Sequence, residues 1–158
     1  SKLTSATDRK AIIAQLKSDT EQRMAQMQSL VTKMFAKQGI TIGTADDMWK
    51  ALANGNFTAD ADTIAQAKED ISEDGYWGVN QTSDRLLDFA VALSGGDEEN
   101  MKKMVSAVEK GFKEATKSWG KDLPSISNDT YSATMKKFDQ WFSDNGYSTK
   151  TSDILGNN

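Results

Sequence analysis

The chain has no histidine and no cysteine among its 158 residues. Imidazole and thiolate are the side chains that most often move protons, attack substrates and ligate transition metals near neutral pH. Their absence excludes serine–histidine and cysteine–histidine catalysis, zinc hydrolysis, haem and iron–sulfur ligation, and thiol redox chemistry. Carboxylate, lysine and hydroxyl chemistry remain open, as do calcium or magnesium binding and function by contact alone.

Proline, basic charge and long apolar runs are also scarce. The only proline is Pro124, so nearly the whole chain is free to be helical. The net charge of −4 argues against a nucleic-acid surface, because such a surface needs a basic face. No apolar run approaches the ~20 residues of a membrane span, so none is expected. A chain without cysteine suits the cytoplasm and the cell exterior equally, which leaves the compartment open.

Apolar residues recur at three- and four-residue steps through most of the chain, which predicts helices. The first predicted helix, over residues 7–38, is the longest, and five shorter ones follow it, separated by glycines. The predicted fold is all-α, a single-domain irregular bundle of about six helices with a long N-terminal helix. Residues 1–6 are expected to be a flexible start, 7–144 the helical domain, and 145–158 a flexible tail.

The length of the first predicted helix indicates where a partner could bind. At 1.5 Å per residue it would be ~48 Å long, whereas a compact domain of this size is about 40 Å across. We therefore expect its amino-terminal half to overhang or bend. If it overhangs, Ile12, Ile13 and Leu16 form an apolar patch that would bind a protein partner or a second copy of the chain.

The segment 70–81 carries a degenerate calcium-binding pattern. An EF-hand loop places oxygen ligands at its first, third, fifth and seventh residues, a glycine at the sixth and a bidentate glutamate at the last. The corresponding residues are Asp70, Ser72, Asp74 and Tyr76, with Gly75 at the sixth place and Gln81 at the last. Glutamine offers one neutral oxygen where two anionic ones are expected. The competing interpretation is an acidic helix end closed by a glycine.

Two further hypotheses use other residue types. The pattern of Glu69 or Glu73 before the glycine- and aromatic-rich segment 75–81 is faintly similar to that of lysozyme-like enzymes. It suggests a carboxylate-dependent peptidoglycan glycosidase.

Six methionines lie at helical spacing. They are expected either to pack in the core or to form an adaptable groove for a partner, and they are Met24, Met27, Met34, Met101, Met104 and Met135.

Several short motifs carry a family resemblance. Residues 75–90 read Gly-Tyr-Trp-Gly-Val-Asn-Gln-Thr-Ser-Asp-Arg-Leu-Leu-Asp-Phe-Ala, and Gly95-Gly96-Asp97, a Gly-Phe-x-x-Ala turn at 111–115 and Leu-Pro-x-Ile-Ser at 123–127 follow. This pattern resembles a bacterial family of helical domains of unknown function. The resemblance implies a link to flagellar or surface proteins and supplies no catalytic residue. Some members are labelled hydrogenase-associated, but this chain has no histidine or cysteine for a redox metal.

The leading hypothesis is therefore a non-catalytic helical interaction or structural module, surface- or motility-associated, with no cofactor. A degenerate calcium-binding protein is the first alternative and the glycosidase the second.

Overall fold

The computed structural model describes residues 5–156, and within them it is all-helical, which confirms the predicted fold class. The described part contains seven helices and no strand. They are α1 (Ala6–Ala36), α2 (Ala45–Asn54), α3 (Ala61–Asp70), α4 (Val79–Ser94), α5 (Glu98–Trp119), α6 (Ser125–Asp144) and α7 (Thr151–Gly156).

Short polar side chains begin these helices and glycines end several of them. The side chains of Ser5, Thr44 and Asp97 each accept a hydrogen bond from a backbone N–H three residues later, at 2.9–3.1 Å. Gly95 and Gly120 end α4 and α5 in the left-handed conformation, with φ of 72° and 87°. α4 begins at Val79, with Gly78 in the capping position.

The main hydrophobic core lies where α4, α5 and α6 meet. Its buried residues come from these three helices alone: Ala90, Val91, Met101, Val105, Met135, Phe138, Trp141 and Phe142. Trp141 and Phe142 meet edge to face at 5.3 Å between ring centroids. Residues from α7 and the segment before it, including Ile154 and Tyr147, pack against the same core.

The amino-terminal half of α1 does not overhang, which corrects the expectation for this helix. Arg9 Nε donates a 3.1 Å hydrogen bond to the carbonyl of Ala92 near the end of α4, and the Arg23 guanidinium lies 4.6 Å from the Tyr76 ring just before α4 begins. α1 therefore runs antiparallel along α4. Ile12, Ile13 and Leu16 lie between these two contacts and are half-buried.

The carboxyl-terminal half of α1 packs against α2 and the loop that follows it. Phe35 is fully buried and meets Phe57 edge to face at 5.1 Å. The Gln38 side chain bonds both the N–H and the carbonyl of Thr58. One long helix is thus accommodated by two successive partners, α4 and then α2.

Residues 145–156 differ from the expected flexible tail, because they contain α7, which packs on α5 and α6. The Asp139 carboxylate of α6 accepts hydrogen bonds from the Thr151 N–H at 2.7 Å and the Thr151 hydroxyl at 3.0 Å. A six-residue helix has little apolar periodicity to reveal it, and its partner carboxylate lies twelve residues earlier. Residues 1–4 of the expected flexible start and residues 157–158 lie outside the described residues.

Replacing Asp139 with alanine should release α7 from α6. We expect the free energy of unfolding to fall by about 1–2 kcal/mol, because two hydrogen bonds at the start of a helix lose their acceptor. Urea unfolding followed by circular dichroism measures this change, and hydrogen exchange should speed up selectively at the amides of residues 147–156. Asp144→Ala is the matched control, since the Asp144 carboxylate accepts only from Gln140 on the exposed face of α6. Equal effects of the two substitutions would contradict the role given to Asp139.

Candidate functional site

An apolar groove between α4 and α5 is the most distinctive surface feature of the described residues. Its volume is about 390 Å³, and every side chain that lines it is apolar. The lining residues are Leu86, Phe89, Ala90 and Leu93 from α4, and Met104, Ala107, Val108, Gly111, Phe112 and Ala115 from α5. Leu93 is 46% exposed even though it is a large aliphatic residue.

Small residues on α5 keep the groove open. Ala107, Gly111 and Ala115 follow one another at four-residue steps and therefore lie on one face of the helix. A Cβ atom placed on Gly111 would meet no other atom within 4 Å, so the space above it is empty. Leu86, Phe89 and Leu93 form the facing wall, because Gly95 and Gly96 turn the chain back between the two helices.

The inner side of the groove is continuous with the core and is therefore rigid. Ala90 belongs to the buried cluster, and Met104 and Val108 pack against it. Phe112 meets Tyr131 of α6 edge to face at 5.0 Å, which fixes the far end of the α5 wall. A partner would meet a preformed apolar surface.

The helix α5, which forms one wall of the groove, is slightly basic. It carries five lysines and four glutamates, a net charge of +1 in a protein whose total is −4. Lys103 and Lys110 adjoin the groove residues Met104 and Gly111 in sequence, and neither forms an ion pair with a described residue. Lys102 and Lys113 form ion pairs within α5, at 3.0 Å from Glu99 and 3.4 Å from Glu109.

The predicted calcium loop is a compact turn between α3 and α4, which we call the hook (residues 70–78). Its polar groups bond to one another and to residues that directly flank it. The Asp70 carboxylate accepts from the Gln66 amide, and the Ser72 hydroxyl donates to the carbonyl of Glu69 at 2.6 Å. The Gln81 amide donates to the carbonyl of Asp74. Within residues 5–156, no three carboxylates are grouped so that they could hold a metal ion. Calcium binding stays a prediction without support from this arrangement.

Tyr76 occupies the seventh position of the calcium-binding pattern. Its ring packs against two arginines. The guanidinium carbon of Arg85 lies 3.7 Å from the ring centroid, and that of Arg23 lies 4.6 Å away. Arg85 also donates a hydrogen bond to the Thr82 hydroxyl at 3.2 Å. Burial lowers the pKa of Arg85 below its usual range, and the nearby Arg23 lowers it further. Tyr76 thus joins α1 to α4.

The other residues that the sequence singles out do not come together in one site. Glu69 and Glu73 are exposed, whereas a glycosidase general acid needs an apolar cleft. Among the six methionines, Met34, Met101 and Met135 are buried and only Met104 lines the groove. Apolar spacing does not distinguish Leu86, Phe89 and Leu93 of the groove from core residues. The signal that could have found the groove is the four-residue spacing of Ala107, Gly111 and Ala115 on α5.

Gly75 in the hook is expected to tolerate no side chain. A Cβ atom there would overlap the backbone carbonyls of Glu69 and Asp70, which a side-chain movement cannot relieve. Gly75→Ala should lower the free energy of unfolding by about 1–3 kcal/mol, measured by urea unfolding. Gly111→Ala is the control, because it adds the same methyl group to open space within a helix and should raise stability by about 1 kcal/mol. Similar effects of the two substitutions would show that the hook is not tightly closed.

Within residues 5–156, no helix combines the length and the apolar character needed to cross a bilayer. Comparison with known proteins adds no assignment: no protein-family model, no curated protein and no solved structure matches this chain.

Proposed function

We propose that this protein is a non-catalytic helical module that acts by contact, and that its α4–α5 groove binds the apolar face of an amphipathic helix. The observation that carries this proposal is a preformed groove of about 390 Å³ lined by apolar side chains alone. The resemblance described above makes a bacterial surface or motility assembly the proposed setting.

The shape of the groove supports a helical ligand. Amphipathic helices bind such grooves through apolar anchors at i, i+3 or i+4, and i+7. The small side chains of Ala107, Gly111 and Ala115 let the backbone of a bound helix come close to α5. Exposed Leu93 loses solvent contact when the groove is covered, which favours binding by the hydrophobic effect.

The chemistry of the groove supports contact rather than catalysis at this place. None of its ten lining residues can ionise or act as a nucleophile, so the groove itself supplies no acid, base or attacking group. Ile12, Ile13 and Leu16 are less suitable as a contact surface, since they are half-buried where α1 runs along α4. The groove therefore replaces them as the proposed binding surface.

A model peptide tests this proposal. The probe is a fluorescently labelled alanine-rich helix with leucines at i, i+3 and i+7 and glutamates near its amino terminus, titrated with the protein and followed by anisotropy. The wild type should bind it, and Gly111→Glu should weaken binding at least about tenfold, since a charged side chain would occupy the apolar space.

Gly111→Ala is the matched control and should bind within about twofold of wild type, because it leaves most of the space open. Circular dichroism checks that both variants are folded. Absence of binding by the wild type, or equal binding by Gly111→Glu, would refute the groove as the contact surface.

A further inference from the structure

We infer that the groove of one molecule receives helix α3 of a second copy of this chain. The inference rests on the proposed function, since it names the occupant of the same groove. It starts from α3, which packs on no other helix in the described part of the chain.

α3 presents an apolar ridge to solvent. Ile64 is 43% exposed and Ile71, which directly follows the helix, is 50% exposed. Ala67 lies between them at the i+3 position, so the three side chains share one face. No residue of α3 is buried. A ten-residue helix with no buried face has little to stabilise it in isolation, so a partner that covers this ridge would stabilise it.

The ridge and the groove have matching lengths. Ile64 and Ile71 are seven residues apart, which corresponds to ~10.5 Å along a helix. Leu86 and Leu93, which bound the α4 wall of the groove, are also seven residues apart. Two isoleucine side chains and an alanine are of a suitable size for an apolar space of about 390 Å³.

The charges of the two surfaces are opposite. Residues 60–74, which include α3, carry six carboxylates and one lysine, a net charge of −5. The helix α5, which forms one wall of the groove, has a net charge of +1, and its Lys103 and Lys110 form no ion pair with a described residue. This opposition favours an α3 segment as occupant and adds to its rate of association.

The hook holds α3 in a defined orientation. The Trp77 N–H bonds the carbonyl of Asp70 at 2.8 Å, and the backbone at Gly75 lies close against the carbonyls of Glu69 and Asp70 at the end of α3. The ridge and the groove are different surfaces, so one contact between copies leaves a free ridge and a free groove. Repeated contacts build a chain or ring, and a reciprocal pair of contacts closes a dimer.

Sedimentation velocity of the full chain over a range of concentrations tests this inference. The wild type should increase in mass with concentration. The ridge variant Ile64→Ser/Ile71→Ser and the groove variant Gly111→Glu should each lose about a hundredfold or more in association and run as monomers. Gln66→Ser, on the opposite face of α3, is the matched control and should associate like the wild type.

Mixing the two defective variants is the decisive measurement. The ridge variant keeps an intact groove and the groove variant keeps an intact ridge, so the mixture should form a one-to-one heterodimer. A wild type that stays monomeric, variants that still associate alone, or a mixture that stays monomeric would each overturn the inference.

The model-peptide assay separates this inference from the proposed function. The ridge variant has an unaltered groove and should bind the peptide like the wild type. If it does so while the wild type remains monomeric, the groove binds helices and the second copy is not the occupant. If neither peptide binding nor self-association occurs, both proposals fail.

Discussion

The packing of α4 is the constraint on which the rest of the structure depends. α1 lies along one side of it, α6 along another and α5 along a third. A polar contact holds α4 to α6 beside the core, where Lys137 Nζ donates to the Ser83 hydroxyl and the Asp84 carboxylate, both at 2.6 Å. Ser83 is fully buried, so its hydroxyl needs such partners. Because α4 is enclosed on these sides, its remaining apolar surface faces α5, and the groove lies where the small residues Ala107, Gly111 and Ala115 leave that surface uncovered.

The same arrangement separates the packed core of the molecule from the apolar surfaces that remain uncovered. α4, α5 and α6 share the core and carry the groove on their outside, so the groove has rigid walls. α3 lies outside this core and is attached through the hook. One chain thus presents an uncovered apolar groove and an uncovered apolar ridge within an acidic segment. Each is apolar area that folding alone has left in water, and the proposed function by contact rests on these two surfaces.

The sequence predicted the helices better than the contacts between them. Apolar spacing and glycine stops located six of the seven helices, because both signals are local. α7 escaped prediction since it depends on Asp139, a side chain of another helix. Residues 70–81 carry a calcium-loop pattern because their oxygen-bearing residues have nearly the right spacing. In the structure, Ser72 donates to the carbonyl of Glu69 and Gln81 donates to that of Asp74, and Arg85 lies on the Tyr76 ring. Spacing along the chain does not reveal which neighbour satisfies a polar group.

By itself, the sequence determined the all-helical fold, the long first helix and the absence of histidine and cysteine chemistry. These follow from residue types and from periodicity, which act over a few residues. Only the tertiary structure decided where α1 lies, because its length allowed either an overhang or two successive partners. It also decided which apolar residues remain in water. Leu93 and Phe89 have the same spacing as core residues, and they line a groove because the facing residues of α5 are too small to cover them.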